Sequence, residues 1–194
     1  YCDKGECLDG VFIREVENAV THATTAQPTV LFLHTMGAHG PAYYLRSPES
    51  DKPFKPECHD ADLSSCSRES IVNAYDNAVR YTDFVLANLI KTLKDAHINA
   101  GLVYVSDHGE SLGENGIYLH GIPYMVAPKE QKTVPMVMWF SPEFKAEFGV
   151  DEATIRAKTH QEDVSHDNLY HTIMGLLKVK GTTYERPYDL SATP

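Results

Sequence analysis

Three short, almost wholly apolar runs punctuate this chain: Thr29-Val-Leu-Phe-Leu-His34, Leu102-Val-Tyr-Val105 and Val134-Pro-Met-Val-Met-Trp-Phe140. Runs of this length, rich in β-branched and aromatic residues, predict strands. The first is apolar at nearly every position, which predicts a strand covered on both faces. The third carries Pro135 near its start, where a missing donor is tolerated. Between the runs the period changes to that of a helix. Val11, Phe12, Val16, Ala19 and Val20 predict a helix over residues 6–23. Ile71, Tyr75, Ala78, Val79, Val85, Leu86, Leu89, Ile90 and Leu93 predict a long one from a Ser67 cap to about Ala96. Strand, crossover helix, strand is a βαβ unit and implies parallel pairing of the first two runs. Further on, residues 142–158 predict one or two modest helices. Ser165 caps another through Leu177, with Asp167 in its first turn complementing the helix dipole. No periodic pattern follows Lys178. The class is α/β.

Chemistry gathers where the strands stop. The second run ends in Ser106-Asp107-His108-Gly109, which presents a carboxylate and an imidazole side by side. In open α/β sheets that edge is where sites form, and Asp oxygen with His nitrogen suits zinc. A loop rich in glycine and polar residues then leads to His120, flanked by Gly121. The first run ends likewise, in Thr35-Met-Gly-Ala-His39-Gly40-Pro41. Two strands that each hand over to a glycine loop bearing histidine predict that His39 and His108 converge on one site. His34, inside the run, reads as an ordinary core residue. Glu110 and Glu114 read as solvated loop charges, with contact to a substrate ammonium as the alternative. Residues 42–62 read as an ordered surface loop, longer than a connector needs.

Length and charge narrow the field. A chain of 194 residues makes one domain with a sizeable core. The formal net charge of −10, with no Lys/Arg cluster, argues against a nucleic-acid partner. No apolar run approaches the ~20 residues of a membrane helix. Four cysteines fall in two close pairs, Cys2 with Cys7 and Cys58 with Cys66. Neither spacing is that of a zinc ribbon or a thioredoxin site. Two local disulfides fit better than four free thiols, and they place the chain outside the reducing cytosol. Tyr1-Cys2-Asp3 reads as the interior of a longer protein.

Three stretches carry a resemblance: Thr35 to Tyr44, Tyr104 to Gly121, and Ala127-Pro-Lys-Glu-Gln131. They resemble the lipid A phosphoethanolamine transferases, which include the mobile colistin-resistance enzymes. The likeness covers nearly the whole chain, both cysteine pairs included. It implies an alkaline phosphatase/sulfatase-like α/β/α sandwich with a mainly parallel sheet, in a periplasmic catalytic domain behind an N-terminal membrane domain. It implies zinc-dependent transfer of phosphoethanolamine from phosphatidylethanolamine to a lipid A phosphate through a phosphorylated threonine, at the periplasmic face of the bacterial inner membrane, with polymyxin resistance as the consequence. Asp107 and His108 match two zinc ligands of the family. His39 and His120 match histidines that contact the phosphoethanolamine group or further zinc, as catalytic or substrate-binding residues.

The chain also departs from the family. The nucleophilic threonine and a zinc-binding glutamate have no counterpart here, since Thr24 and Thr25 precede a linker and Thr35 belongs to the histidine loop. The expectation is therefore residues 1–194 as the later part of a catalytic domain, inactive by itself. The competing readings are another transferase of the same superfamily, acting on glucan or making lipoteichoic acid, a sulfatase, or a zinc-binding fragment without catalysis.

Overall fold

The computed structural model describes residues 2–3, 6–24, 28–160 and 164–193. It divides into two compact units, Tyr1–His97 with Tyr104–Met136, and Ile98–Val103 with Val137–Pro194.

The first unit opens on β1 (Cys2–Asp3) and β2 (Glu6–Cys7), paired antiparallel with Cys2 opposite Cys7. That pair is the first disulfide, with Cα atoms 4.0 Å apart. The cross-link holds Glu6 and Cys7 extended, so α1 spans Val11–Thr21 and starts later than the apolar periodicity suggested. Helix α2 (Arg68–Asp95) is as expected: the Ser67 hydroxyl accepts the Ser70 N–H, a cap that contributes about 1 kcal/mol. Its inner face buries Ile71, Ala74, Ala78, Tyr81, Val85 and Leu89, while Val79 turns outward. Asn77 is also fully buried on that face. Its amide bonds both the N–H and the C=O of Phe54, which ties the long 42–62 loop to the helix.

Strand β3 (Gly101–Val105) lies between the units in sequence and leads into a hairpin of β4 (Ser111–Glu114) and β5 (Ile117–Leu119). The hairpin turns on Asn115-Gly116, both at positive φ, 53° and 76°. That is the two-residue turn whose twist matches paired strands. Leu112 and Leu119 pack from the hairpin onto a core of Tyr43, Cys58, Ile71 and Ala74. The Cys58–Cys66 disulfide, Cα atoms 5.8 Å apart, is built into this core. A single helical turn, α3 (Lys129–Lys132), completes the unit.

Strand β6 (Met136–Phe140) is hydrogen-bonded to β3 as a two-stranded sheet. Flanking bonds run from Ser106 N–H to Pro135 O and from Ser141 N–H to Ala100 O, so these strands are antiparallel. In the second unit α4 (Pro142–Phe148), α5 (Glu152–Thr159) and α6 (Asp167–Leu176) gather Phe140, Ile155 and Leu176 into a core with Val103, Met138 and Phe144.

The α/β class thus stands, and the expected parallel pairing of residues 29–34 with β3 is not among the described ladders. Residues 28–34 form no assigned strand, Phe32 is 92% exposed, and His34 is exposed rather than a core residue. A run apolar on all sides becomes a ladder only where strands flank it, and none of the described strands pairs with this one. No described helix is long and apolar enough to cross a membrane.

Candidate functional site

His39, His108 and His120 are brought together by three different pieces of backbone. His39 sits in a turn closed by its own N–H bonding to Met36 O at 3.3 Å. His108 follows the end of β3, where the Ser106 hydroxyl donates to the His108 carbonyl at 2.7 Å. The next residue must be glycine: a Cβ at Gly109 would stand 2.0 Å from the Glu130 carbonyl oxygen, because the α3 turn packs directly on it. His120 leaves the end of β5.

One ring nitrogen from each histidine lies within 4.8 Å of the other two. The rings of His108 and His120 stack at 3.9 Å between centroids, and His39 meets His120 edge-on at 4.9 Å. In every ring Nδ1 is engaged: by the Gly40 carbonyl at 2.6 Å in His39, the Gly109 carbonyl at 3.0 Å in His108, and Glu110 Oε1 at 2.9 Å in His120. A carbonyl or carboxylate oxygen can only accept, so Nδ1 carries the proton in each neutral imidazole. Each Nε2 is left with its lone pair. That tautomer, fixed by an oxygen behind the ring, is the usual arrangement of metal-bound histidine.

Three imidazoles, each bringing one nitrogen this close to the other two, are a donor set that fits a metal ion. Two zinc–nitrogen bonds of about 2.1 Å span at most ~4.2 Å. Three nitrogens on one tetrahedral zinc would lie only roughly 3.4–3.6 Å apart, so a single ion shared by all three rings would draw them together by up to about an ångström.

Glu110 organises the site from behind. It is buried, 8% exposed, not a solvated loop charge. It accepts from the Tyr43 hydroxyl at 2.9 Å, from Gly40 N–H at 3.3 Å and from His120. One carboxylate therefore touches the loop of His39 and the ring of His120 together. Burial pushes the Tyr43 hydroxyl far up from its ordinary value, and the Glu110 charge beside it pushes the same way. Tyr43 therefore remains a donor to Glu110 at any physiological pH.

The remaining candidates separate. Asp107 is a neighbour of the triad and not a member of the three-histidine group. Its carboxylate accepts the His108 N–H, comes within 3.8 Å of His108 Nε2, and is 83% exposed. Glu114 is held by Arg68 at 3.0 Å and by Leu112 N–H, so it braces the hairpin. Sequence reasoning took Glu110 for a solvated charge or an ammonium contact and passed over Tyr43. The signal for Glu110 was the Asn-Gly turn: it pairs Ser111 with Leu119, and so brings residues 110 and 120 together at the open end of the hairpin.

An α/β fold that gathers three histidines beside the end of a strand presents a candidate metal centre. The sulfatase family model matches residues 1–179, and the chain belongs to that family. Within it the chain is similar to the phosphoethanolamine transferases. It is 43% identical over 192 residues to the phosphoethanolamine transferase EptA of Salmonella typhimurium, covering 97% of this chain and 35% of that protein. It is 45% identical over 137 residues to the phosphatidylethanolamine transferase Mcr-1 of Escherichia coli, covering 69% and 25%. The soluble domain of lipooligosaccharide phosphoethanolamine transferase A from Neisseria meningitidis superposes with a TM-score of 0.89 at 40% identity, covering 98% of this chain and 57% of that one. The chain thus spans about a third of the length of the curated relatives it matches.

Proposed function

We propose that this chain supplies the histidine side of a zinc centre that moves phosphoethanolamine from phosphatidylethanolamine to a lipid A phosphate, in the periplasm at the inner membrane. The observation that carries the reading is the triad itself, three imidazoles with Nδ1 tied to oxygen and one nitrogen each within 4.8 Å of the others. Its support on the substrate side is the printed activity of the relatives, phosphoethanolamine or phosphatidylethanolamine transferases and a lipooligosaccharide transferase. The two disulfides fit an oxidising compartment.

His108 and Asp107 hold zinc in this reading, and His39 and His120 face the phosphoryl group or hold a further zinc. When bound, zinc neutralises charge growing on phosphoryl oxygens and lowers the pKa of a hydroxyl nucleophile. Where it does not hold the further zinc, Nε2 of His39 or of His120 is the nitrogen that bonds a phosphoryl oxygen or takes the proton of an attacking hydroxyl, a contribution of roughly 10²–10⁴-fold. Glu110 keeps the His120 tautomer and orients its ring. The nucleophilic threonine is assigned outside these 194 residues, and resistance to polymyxins is the cellular consequence of the product.

The test is direct. Zinc is titrated calorimetrically into the protein, and release of diacylglycerol from labelled phosphatidylethanolamine is followed with lipid A as acceptor. His108→Ala in the transfer-competent protein is expected to abolish both zinc retention and transfer. Transfer that survives His108→Ala, or that prefers a glucan acceptor, overturns the assignment.

A further inference from the structure

We infer that Asp9 is a positioning residue for His39, an inference that rests on the proposed role of the triad. Asp9 is half-buried and lies just before α1. Its Oδ1 accepts the Met36 N–H at 2.9 Å and its Oδ2 accepts the Gly37 N–H at 2.7 Å. Both bonds reach 27 or more residues along the chain, into the turn that carries His39. A carboxylate before a helix ordinarily serves that helix's own amides. Here the helix begins at an N-cap of Gly10 with no side-chain cap bond, and both oxygens of Asp9 are spent on the distant turn.

The His39 ring is exposed and its Nδ1 bonds only the carbonyl of the adjacent Gly40, so the ring goes where its backbone goes. That backbone is pinned at both ends by carboxylates. Asp9 takes Met36 and Gly37 at the start, and Glu110 takes Gly40 N–H at the finish. Between them, His39 N–H closes the turn on Met36 O. Bonds from backbone amides to a carboxylate are about twice as strong as neutral ones, and two on one group fix orientation as well as distance. Asp9 is itself fixed from two sides: its carbonyl accepts Phe12 N–H at 3.0 Å, and the Cys2–Cys7 disulfide closes two residues earlier. Asp9 touches neither the triad rings nor the phosphoryl path, and acts only through the turn.

The experiment compares Asp9→Ala and Asp9→Asn with the parent and with His39→Ala in the full chain, reading amide hydrogen exchange and zinc affinity. Asp9→Ala is expected to speed exchange of the His39 amide, which is bonded to Met36 O, while the Gly109 amide, bonded to Gln131 O, keeps its rate. With His39 holding the further zinc of the proposed function, zinc affinity is expected to fall roughly 10–100-fold, the range for a residue that orients a ligand. Asp9→Asn keeps one acceptor and should lie between. In a His39→Ala background Asp9→Ala should add no further loss of affinity, because both act through one ligand. Losses that add, or an unchanged His39 exchange rate, overturn the inference; if the alanine variant does not fold, Asp9→Asn decides on the same readings. A parent protein that holds no zinc would sink the proposed function, while the exchange measurement still decides whether Asp9 holds the turn.

Discussion

Glu110 and His120 stand opposite each other where the β4–β5 hairpin opens, with Nδ1 of His120 donating to Oε1 of Glu110 at 2.9 Å. The pair is a product of register: Ser111 faces Leu119 in the ladder, so the next residues outward meet. Because the same carboxylate holds Tyr43 and Gly40, the ring of His120 and the loop of His39 share one support.

Replacing that support should have two separable effects. Glu110→Gln keeps size but turns one acceptor into a donor, and zinc affinity is expected to drop roughly 10–100-fold. Glu110→Ala leaves the Tyr43 hydroxyl and Gly40 N–H buried without an acceptor, which costs about 1–3 kcal/mol in addition. Chelator competition reads the first effect and urea unfolding the second. A glutamine variant with parental affinity would show that the carboxylate does not orient His120.

The hairpin turn offers a test away from the three histidines. Gly116 has φ of +76° and open space where a Cβ would project, so alanine there meets backbone strain and no clash. Gly116→Ala is expected to cost about 1–2 kcal/mol, the penalty for an L-residue in the left-handed region. Gly116→Asn, a residue that tolerates this region, should cost less. Thermal denaturation of the two variants gives the comparison, and equal melting temperatures would refute the turn as a determinant of hairpin stability.

Much of this arrangement was legible in the residues. Ser67 announced α2, and the apolar stripe from Ile71 to Leu89 announced the face it buries. The repetition of an apolar run, then glycine and histidine, announced that His39 and His108 meet, though its ground, two strand ends on one edge, holds for β3 only, since residues 28–34 form no assigned strand. The hairpin was not read, although Asn115-Gly116 is a strong turn signal, because Ser111, Gly113 and Glu114 gave the stretch the composition of a loop. Glu110 was misjudged for the same reason: a charge in a loop is solvated by default, and only the pairing of Ser111 with Leu119 buries it. Residues 29–34 show the opposite limit. Their apolarity describes what a strand requires on its two faces, and says nothing about which neighbours provide it.

The Cys58–Cys66 bridge closes a loop of 8 residues within the core that carries Tyr43 and the inner face of the hairpin. On the loop-closure relation it contributes about 2–3 kcal/mol. Cys58→Ser with Cys66→Ser should lower stability by that amount and weaken zinc binding, since Leu112 and Leu119 rest on the same cluster. Reduction of the parent protein by dithiothreitol should reproduce both effects. If the serine variant loses stability but holds zinc as well as the parent, the disulfide supports the fold and not the site.

The last prediction concerns a buried ion pair in the long loop. Lys52 Nζ lies 3.2 Å from Glu57 Oε2, with only 2% and 0% of the two side chains exposed. Lys52 also donates to the Tyr44 carbonyl at 2.7 Å, and Glu57 accepts from Asn77 of α2 at 3.1 Å. The loop is thus fastened from Tyr44 to the helix through two opposite charges. Burying such a pair gains little net free energy, and breaking one costs up to about 3–5 kcal/mol, less here because Lys52 keeps the exposed Glu49 at 2.8 Å when Glu57 is removed. Glu57→Ala should therefore destabilise, whereas the double variant Lys52→Met, Glu57→Leu should recover a large part of the loss, because neither charge remains buried. Urea unfolding of the parent, both single variants and the double variant completes the cycle. Single and double variants that lose stability additively would mean the two charges do not depend on each other, and the loop would then be held by its other ties to α2, from Asn73, Asn77 and Arg80, and by the disulfide.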